Sequence, residues 1–483
     1  MFAAVAAPLV LPSIIDNTYY LNGLINQILI FSLLIISLDI LTGYLGDVSL
    51  GHAGFFAVGA YTVAILTTTP ALNQSAEATI KFFFQYPFWF ALIVAMLLSA
   101  VLGFLLAFPS LRLKGDFLAV TTMAYGLMIH TIVVESENLT NGTKGIHIPE
   151  FSTFGVSMAG NNYFWFVYPI VILVIWFTNN LLRGRWGRAF AAVRMSDLAA
   201  ESLGISRTRT KVTAFVFSAS LAGLAGGLFA QMNNYVGTNT FSLDLSIFVV
   251  IVLLFGGIRS FWGNILGMAS FVLIPEFLVE LKDYQHIVFG VLLLLILFFS
   301  PGGTISLFNK VFALLEKKLG KIVNLKIFSS DESPAFVQAL ISLMDSSKVI
   351  AAIDSHCRVH YNGSDSALTL DRVSKNFGGV KAVADFSVAI PRGEVHGIMG
   401  PNGSGKSTLV NLISGIFPVS GGKVKLFGRD VTALKSHRRS VYGIGRSFQT
   451  VQLFDELSGL ENVKIGLFKN QKVSFLRCCP RKI

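Results

Sequence analysis

Residues Gly400–Gly415 read GPNGSGKSTLVNLISG, and that stretch decides how the C-terminal part of the chain is read. It satisfies G-x-x-x-x-G-K-[ST] at every fixed position, with Gly400, Gly405, Lys406 and Ser407. Glycine at 400, 403 and 405 lets the backbone curl until its N–H groups converge on an anion, with Asn402 and Ser404 inside the curl. Lys406 can reach the β- and γ-phosphates of a nucleotide, and the Ser407 hydroxyl can ligate Mg²⁺. A helix starting at Thr408 aims its positive end at the same anion. The apolar run VHGIMG leads in and STLVNLISGIF leads out, so the expected context is strand, loop, helix. ATP and Mg²⁺ are the cofactors this predicts, and a glycine-rich turn without a ligand is the plainer alternative.

Working outward, LTLDRVSKNF, KAVADFSVAIPRGEVHGIMG and GGKVKLFGRDV alternate apolar and polar residues as strands do. Residues 368–483 therefore read as a partial α/β P-loop domain. The rest of the chain is different in kind. Of 483 residues, 53% are hydrophobic and only 13% charged, against roughly 25% charged in soluble domains. Mean hydropathy is +0.65. The imbalance is concentrated before residue 306, so residues 1–305 read as a multi-span α-helical membrane domain and 306–367 as a cytoplasmic linker. The net charge of +11 fits Lys and Arg gathered in cytoplasmic loops. No aromatic-interleaved basic patch supports a nucleic-acid partner.

Apolar runs of spanning length fall near 21–42, 48–68, 84–108, 116–134, 163–182, 211–231 and 285–300. The run 245–280 is broken by GGIRSFWG at Gly256–Gly263, which predicts two short spans or a re-entrant hairpin. Residues 1–16 are a short or incomplete first span. Together these give about eight or nine crossings. Arg112 and Lys114, the arginines of 183–209, Arg259 and the lysines after residue 309 can all face the cytoplasm if the spans alternate. The loop 135–155 then faces outside. Gly51, Gly54, Gly59, Gly223, Gly226 and Gly227 stand at helix-contact spacings, for close packing or for a backbone-lined path. Asp39, Asp47, His52, Glu135 and Arg259 are embedded polar residues, with Asp39 and His52 the candidates for a substrate path; Asp47 and His52 also fall at a turn open to water.

The loop GRAFAAVRMSDLAAESLGI, 187–205, reads as one amphipathic cytoplasmic helix. It carries Arg188 and Arg194, with Asp197 and Glu201 four apart and Gly204 to end it. It suits a motor as a push point, or is a solvated loop helix. Cys357, Cys478 and Cys479 make a poor disulfide framework. His356 and His360 beside Cys357 read as incidental rather than as a metal site.

Four blocks in order carry a resemblance: LTGYLGDVSLGHAGFFAVGAYT, LRLKGDFLAVTTMAYG, GRAFAAVRMSDLAAESLGI and LLFGGIRSFWGNILG. Over about residues 20–305 the chain resembles the membrane subunit of branched-chain amino acid ABC importers. The resemblance implies that 187–205 docks on the ATPase. It also implies three partners besides membrane lipid: a second permease subunit, a complete ATPase subunit and an extracytoplasmic substrate-binding protein. The expected place is the cytoplasmic (inner) membrane of a prokaryote, multi-pass, with the C-terminal region inside. Residues 368–466 resemble the ATPase subunit of the same importers, through KNFGGVKAVADFSVAIPRGEVHGIMGPNGSGKST and GRSFQTVQLFDELSGLENV. On that resemblance Phe377 stacks on adenine, and Gln449 is the Q-loop glutamine that touches Mg²⁺ or attacking water. A signature loop, a Walker-B Asp with its catalytic Glu, and a switch His do not follow Gln449, so hydrolysis by this chain alone is not expected. The expected function is an ATP-driven importer of branched-chain amino acids with a fused, truncated ATP-binding domain. The alternatives are a permease served by a separate complete ATPase, with a vestigial or regulatory C-terminal stub, and urea or short amides as cargo. A nucleotide-gated channel or ion-driven carrier is a third reading, which no ion-coupling cluster supports.

Overall fold

The computed structural model describes residues 23–68, 86–113, 115–153, 156–158, 161–277, 290–291, 366–448, 452–466 and 468. The expectations for residues 1–20, Lys114, all but two residues of the run 285–300, the linker, the three cysteines, His356, His360 and Gln449 lie outside them. The chain forms two compact units: Met1–Lys310 with Thr450–Ile483, and Val311–Gln449.

In the first unit, α1 (Asn26–Asp39) continues through a π-helical turn, Ile40–Leu45, that closes at Gly46. It is followed by α2 (His52–Thr67), α3 (Phe88–Arg112), α4 (Asp116–Glu135) and α5 (Asn161–Arg183). After two short helices, α6 (Arg185–Met195) and α7 (Asp197–Ser202), comes α8 (Arg207–Asn233). Five helices among the described residues are long and apolar enough to span a bilayer, and α2, with 16 residues, is shorter. α9 (Leu243–Gly256) and α10 (Phe261–Phe277) meet at 120° across a four-residue break, so the run interrupted by GGIRSFWG is a sharply bent pair. The segments containing α1 and α8 are mostly buried, whereas α3, α4 and α5 expose most of their apolar surface. Ile93, Leu97, Val101 and Leu105 of α3 and Phe117 and Val120 of α4 are exposed apolar side chains of the kind that face lipid.

Small residues let α2, α3 and α8 touch backbone to backbone. A Cβ on Gly59 would lie 2.0 Å from Gly223 O; one on Gly223 would meet Ser99 Oγ at 2.2 Å. Neither site leaves room for a side chain, so the close-packing reading of these glycines holds here. Gly59→Leu is therefore expected to lower the thermal midpoint of the solubilised chain by more than ordinary overpacking does, which costs about 1–3 kcal/mol. Gly459→Ala, where nothing lies within 4 Å, is the control and leaves the midpoint unchanged. On the 135–155 side, β1 (Ile146–His147) pairs antiparallel with β2 (Tyr235–Val236), and Thr68 Oγ1 donates to His147 O at 3.0 Å.

The second unit holds a four-stranded antiparallel sheet: β3 (Ser366–Phe377), β4 (Val380–Pro391), β5 (Gly421–Leu426) and β6 (Arg429–Asp430), in the order β4-β3-β5-β6. β3 and β5 fall where the alternation predicted, whereas β4 ends at Pro391 instead of running on through VHGIMG. The loop helix α11 (Lys406–Ser414) buries Leu409 and Leu412 against Leu370, Val373, Val424, Leu426 and Val431. One element differs from expectation. VHGIMG is not a paired strand: Val395 is 100% and Met399 95% exposed. A strand needs a neighbour to bond its N–H and C=O groups, and no described strand lies beside this segment. Apolar residues alone do not make the ladder.

Candidate functional site

In the phosphate-type loop of the second unit a helix follows the glycines as expected, but it begins at Lys406 rather than Thr408 and the lead-in is not a strand. Gly403 and Gly405 have φ of +85° and +86°, the left-handed region that glycine enters without steric cost. At Gly405 the demand is double, because a Cβ there would also lie 2.3 Å from Ala382 O. Gly405 is the residue from which α11 starts, so Lys406, Ser407 and Thr408 form the first turn of that helix. The Lys406 ammonium folds over the loop, donating to Gly400 O and Pro401 O at 2.7 Å each and approaching Ser404 Oγ at 3.4 Å. Asn402 lies in the turn that Ser404 N–H closes on Pro401 O at 3.2 Å. A cradle that excludes a Cβ, a helix N-terminus and one exposed cation suit the phosphates of a nucleotide. Phe377, at the end of β3, meets Phe417 edge-on at 5.3 Å, has Lys375 Nζ 5.0 Å from its ring, and is 43% exposed.

Sequence reasoning overlooked Arg439, which secures the far end of α11. It is buried and donates to Leu412 O at 2.5 Å, Ile413 O at 2.9 Å, Leu434 O at 2.8 Å and Thr432 O at 2.8 Å. Two of these are last-turn carbonyls that a helix leaves unsatisfied. Its only sequence signal is a basic pair in SHRRSV, which reads as surface.

In the first unit, the loop expected as one helix over 187–205 is two. Ser196 is extended at φ −156°, and its side chain accepts from Ala199 N–H at 3.3 Å to cap α7. A serine that bonds forward to the backbone ends one helix and begins the next. Asp197 pairs with Arg207 at 3.3 Å. Gly204 takes φ +87° after Glu201, whose carbonyl accepts its N–H at 3.1 Å. Burial lowers the Arg188 pKa, while the Glu461 charge acts the other way. Arg194 donates to Gly43 O and pairs with Glu456 at 3.3 Å.

Asp39, His52 and Asp47 each find partners within the protein. Asp39 Oδ1 accepts from Arg259 N–H at 2.9 Å, and Oδ2 from Asn264 Nδ2 at 3.1 Å. Gly43 is required there, since a Cβ would lie 2.0 Å from Asp39 Oδ1. His52 Nε2 lies 2.9 Å from Ser218 Oγ, which donates to Ser37 O at 2.5 Å. Ser218 has spent its one proton, so Nε2–H donates to it and Nδ1 accepts from Ser49 Oγ at 3.1 Å. His52 thereby ties α1, α2 and α8 together. Asp47 and His52, both expected at a wet turn, are buried, and Asp47 takes Lys211 Nζ on both oxygens, at 2.6 and 2.9 Å. Lys211 sits in the second turn of α8, so only the fold brings the two together.

A bundle of apolar helices with buried polar ties, in one chain with a P-loop on an antiparallel sheet, defines a multi-pass membrane protein carrying an ATP-binding-cassette domain. Residues 20–297 match the family described as branched-chain amino acid transport system / permease component, and the chain belongs to that family. Residues 383–478 match the ABC transporter family, which implies nucleotide binding. The high-affinity branched-chain amino acid transport system permease protein LivM of Salmonella typhimurium is 32% identical over 304 residues, covering 58% of this chain and 68% of that protein. LivM of Escherichia coli shows the same identity and coverage. The probable branched-chain amino acid transport ATP-binding protein LivG of Methanocaldococcus jannaschii is 41% identical over 99 residues, covering 20% of this chain and 38% of that protein. The chain thus spans less than half the length of that ATP-binding relative. Permease and ATPase relatives together imply an ABC transporter complex with further subunits.

Proposed function

We propose that the chain is the membrane component of an ATP-driven importer of branched-chain amino acids, in the cytoplasmic membrane of a prokaryote, with its C-terminal region on the cytoplasmic side. The observation that supports this most directly is the permease match over 20–297 followed, in the same chain, by a P-loop with the left-handed glycines and cation of a phosphate site.

In this reading Gly400, Asn402, Gly403, Ser404 and Gly405 wrap the phosphates, Lys406 leaves its loop carbonyls to meet them, and Thr408 opens the helix aimed at them. Ser407 holds Mg²⁺ with Gln449, and the half-exposed Phe377 ring takes the adenine. Bound ATP supplies the free energy; the chain's own task is to transmit it. Arg188, Arg194, Asp197, Glu201 and Gly204 belong to the α6–α7 contact that receives the motor's movement. Asp39 and His52, both fully engaged, hold the helices that frame the path, and small residues and backbone line it. A second permease subunit completes the pore, a complete ATPase subunit closes with the P-loop domain, and an extracytoplasmic binding protein delivers substrate.

The test is uptake by the native host with its chromosomal copy deleted. Saturable leucine, isoleucine and valine uptake should disappear and return with the full-length gene, while urea uptake stays unchanged. Loss of urea or amide uptake with leucine uptake intact would reassign the cargo.

A further inference from the structure

Two arginines, two carboxylates and a backbone carbonyl close a ring in the first unit. Asp39 accepts the Arg259 N–H at 2.9 Å. The Arg259 guanidinium reaches Glu456 Oε2 at 2.6 Å. The other Glu456 oxygen lies 3.3 Å from Arg194 Nη2. Arg194 returns the chain to Gly43 O, in the π-helical turn that directly follows Asp39. The four ionisable groups balance in charge. Arg259 occupies the break between α9 and α10 with φ +64°, a left-handed conformation that a non-glycine side chain seldom adopts. Its guanidinium also lies 5.5 Å from the Tyr44 ring centroid. A strained residue held by a buried carboxylate on one side and an outside carboxylate on the other is placed to be moved.

We infer that Glu456 is a double anchor, by which the segment around Gly459–Gly466 grips the α9–α10 break through Arg259 as well as α6 through Arg194. This rests on the importer reading above and adds to it. The motor segment would then act at two places on the membrane domain, and the second leads within one hydrogen bond to Asp39 in α1. Each ion pair is about one-third exposed. Such pairs are individually weak and readily remade, as a contact that changes during a cycle must be. Arg259 and Glu456 are positioning residues, so they should set the maximal rate and not the affinity for substrate.

The test uses the full chain in its native complex, with the chromosomal copy replaced by each variant. Glu456→Arg brings three guanidinium groups together and is expected to lower the maximal leucine uptake rate about tenfold at an unchanged half-saturating concentration. Adding Arg259→Glu should recover most of that rate, because the pair is restored with its charges exchanged. A second measurement needs no transport. In a chain with Cys357, Cys478 and Cys479 replaced by serine, the pairs Arg259→Cys/Glu456→Cys and Arg194→Cys/Glu456→Cys should each be joined by a short bis-maleimide in native membranes. An uptake rate unaffected by Glu456→Arg, no recovery in the exchanged pair, or no cross-link at 259/456 overturns the double anchor. If the wild-type chain carries no leucine while both cross-links form, the importer reading fails and the anchor stands.

Discussion

Lys211→Met is expected to destabilise the membrane domain by about 3–5 kcal/mol. The mutation leaves the Asp47 carboxylate buried without the ammonium that now sits 2.6 and 2.9 Å from its two oxygens. Side-chain exposure of the pair is 5% and 11%, so water cannot take the place of the lost partner. Breaking a buried pair on one side costs about 3–5 kcal/mol, whereas replacing both partners with apolar groups of similar volume is often neutral. Asp47→Leu together with Lys211→Met should therefore restore most of the apparent thermal midpoint lost in Lys211→Met alone. The check is a thermal scan of the solubilised full chain for wild type, both single variants and the double. A double variant as unstable as Lys211→Met would mean that the pair does more than neutralise itself, by fixing the approach of α8 to the turn after α1.

Lys406→Ala is expected to lower ATP affinity of the purified full chain about a hundredfold. A lysine bonding two phosphate oxygens makes charge-assisted hydrogen bonds worth about 1.5–3 kcal/mol each, and 2.7 kcal/mol is close to a hundredfold in a dissociation constant. In the free loop the ammonium already has substitute acceptors, Gly400 O and Pro401 O at 2.7 Å. Their loss on binding offsets part of the gain, which is why the net effect falls below the about 3–6 kcal/mol to which two such bonds would sum. Lys406→Arg should not rescue binding, since a planar fork does not fit where a compact point charge sits. Equilibrium ATP titration and leucine uptake, measured on the same variant, separate two cases. Loss of both means that this loop drives transport. Loss of binding with uptake intact means that a different ATPase supplies the energy, and that nucleotide at this loop serves another end.

Some of this architecture is written locally. A run of some twenty apolar residues commits a segment to a helix in lipid wherever its neighbours lie, because every backbone group must bond within the segment. The phosphate loop is as local: eight consecutive residues contain the glycines, the lysine and the serine. The strands around it follow from alternation. The locality failed in two places. Residues 187–205 have the composition of one helix, yet the Ser196 hydroxyl competes for a backbone N–H and splits it. VHGIMG has the composition of a strand, yet strand formation is a pairing and needs a neighbour.

What the sequence by itself determined is therefore the membrane class, the placement of most spans and the phosphate loop, since each rests on residues close in the chain. Only the tertiary structure decided which embedded charges meet. Asp47 and Lys211 are 164 residues apart, Asp39 and Arg259 220, and Arg259 and Glu456 197. Asp39 read from sequence is an isolated acid in an apolar helix; in the fold it holds the break of the bent pair. The physical reason is that a buried charge must find a partner, but no local pattern records which distant one packing will bring within 3 Å.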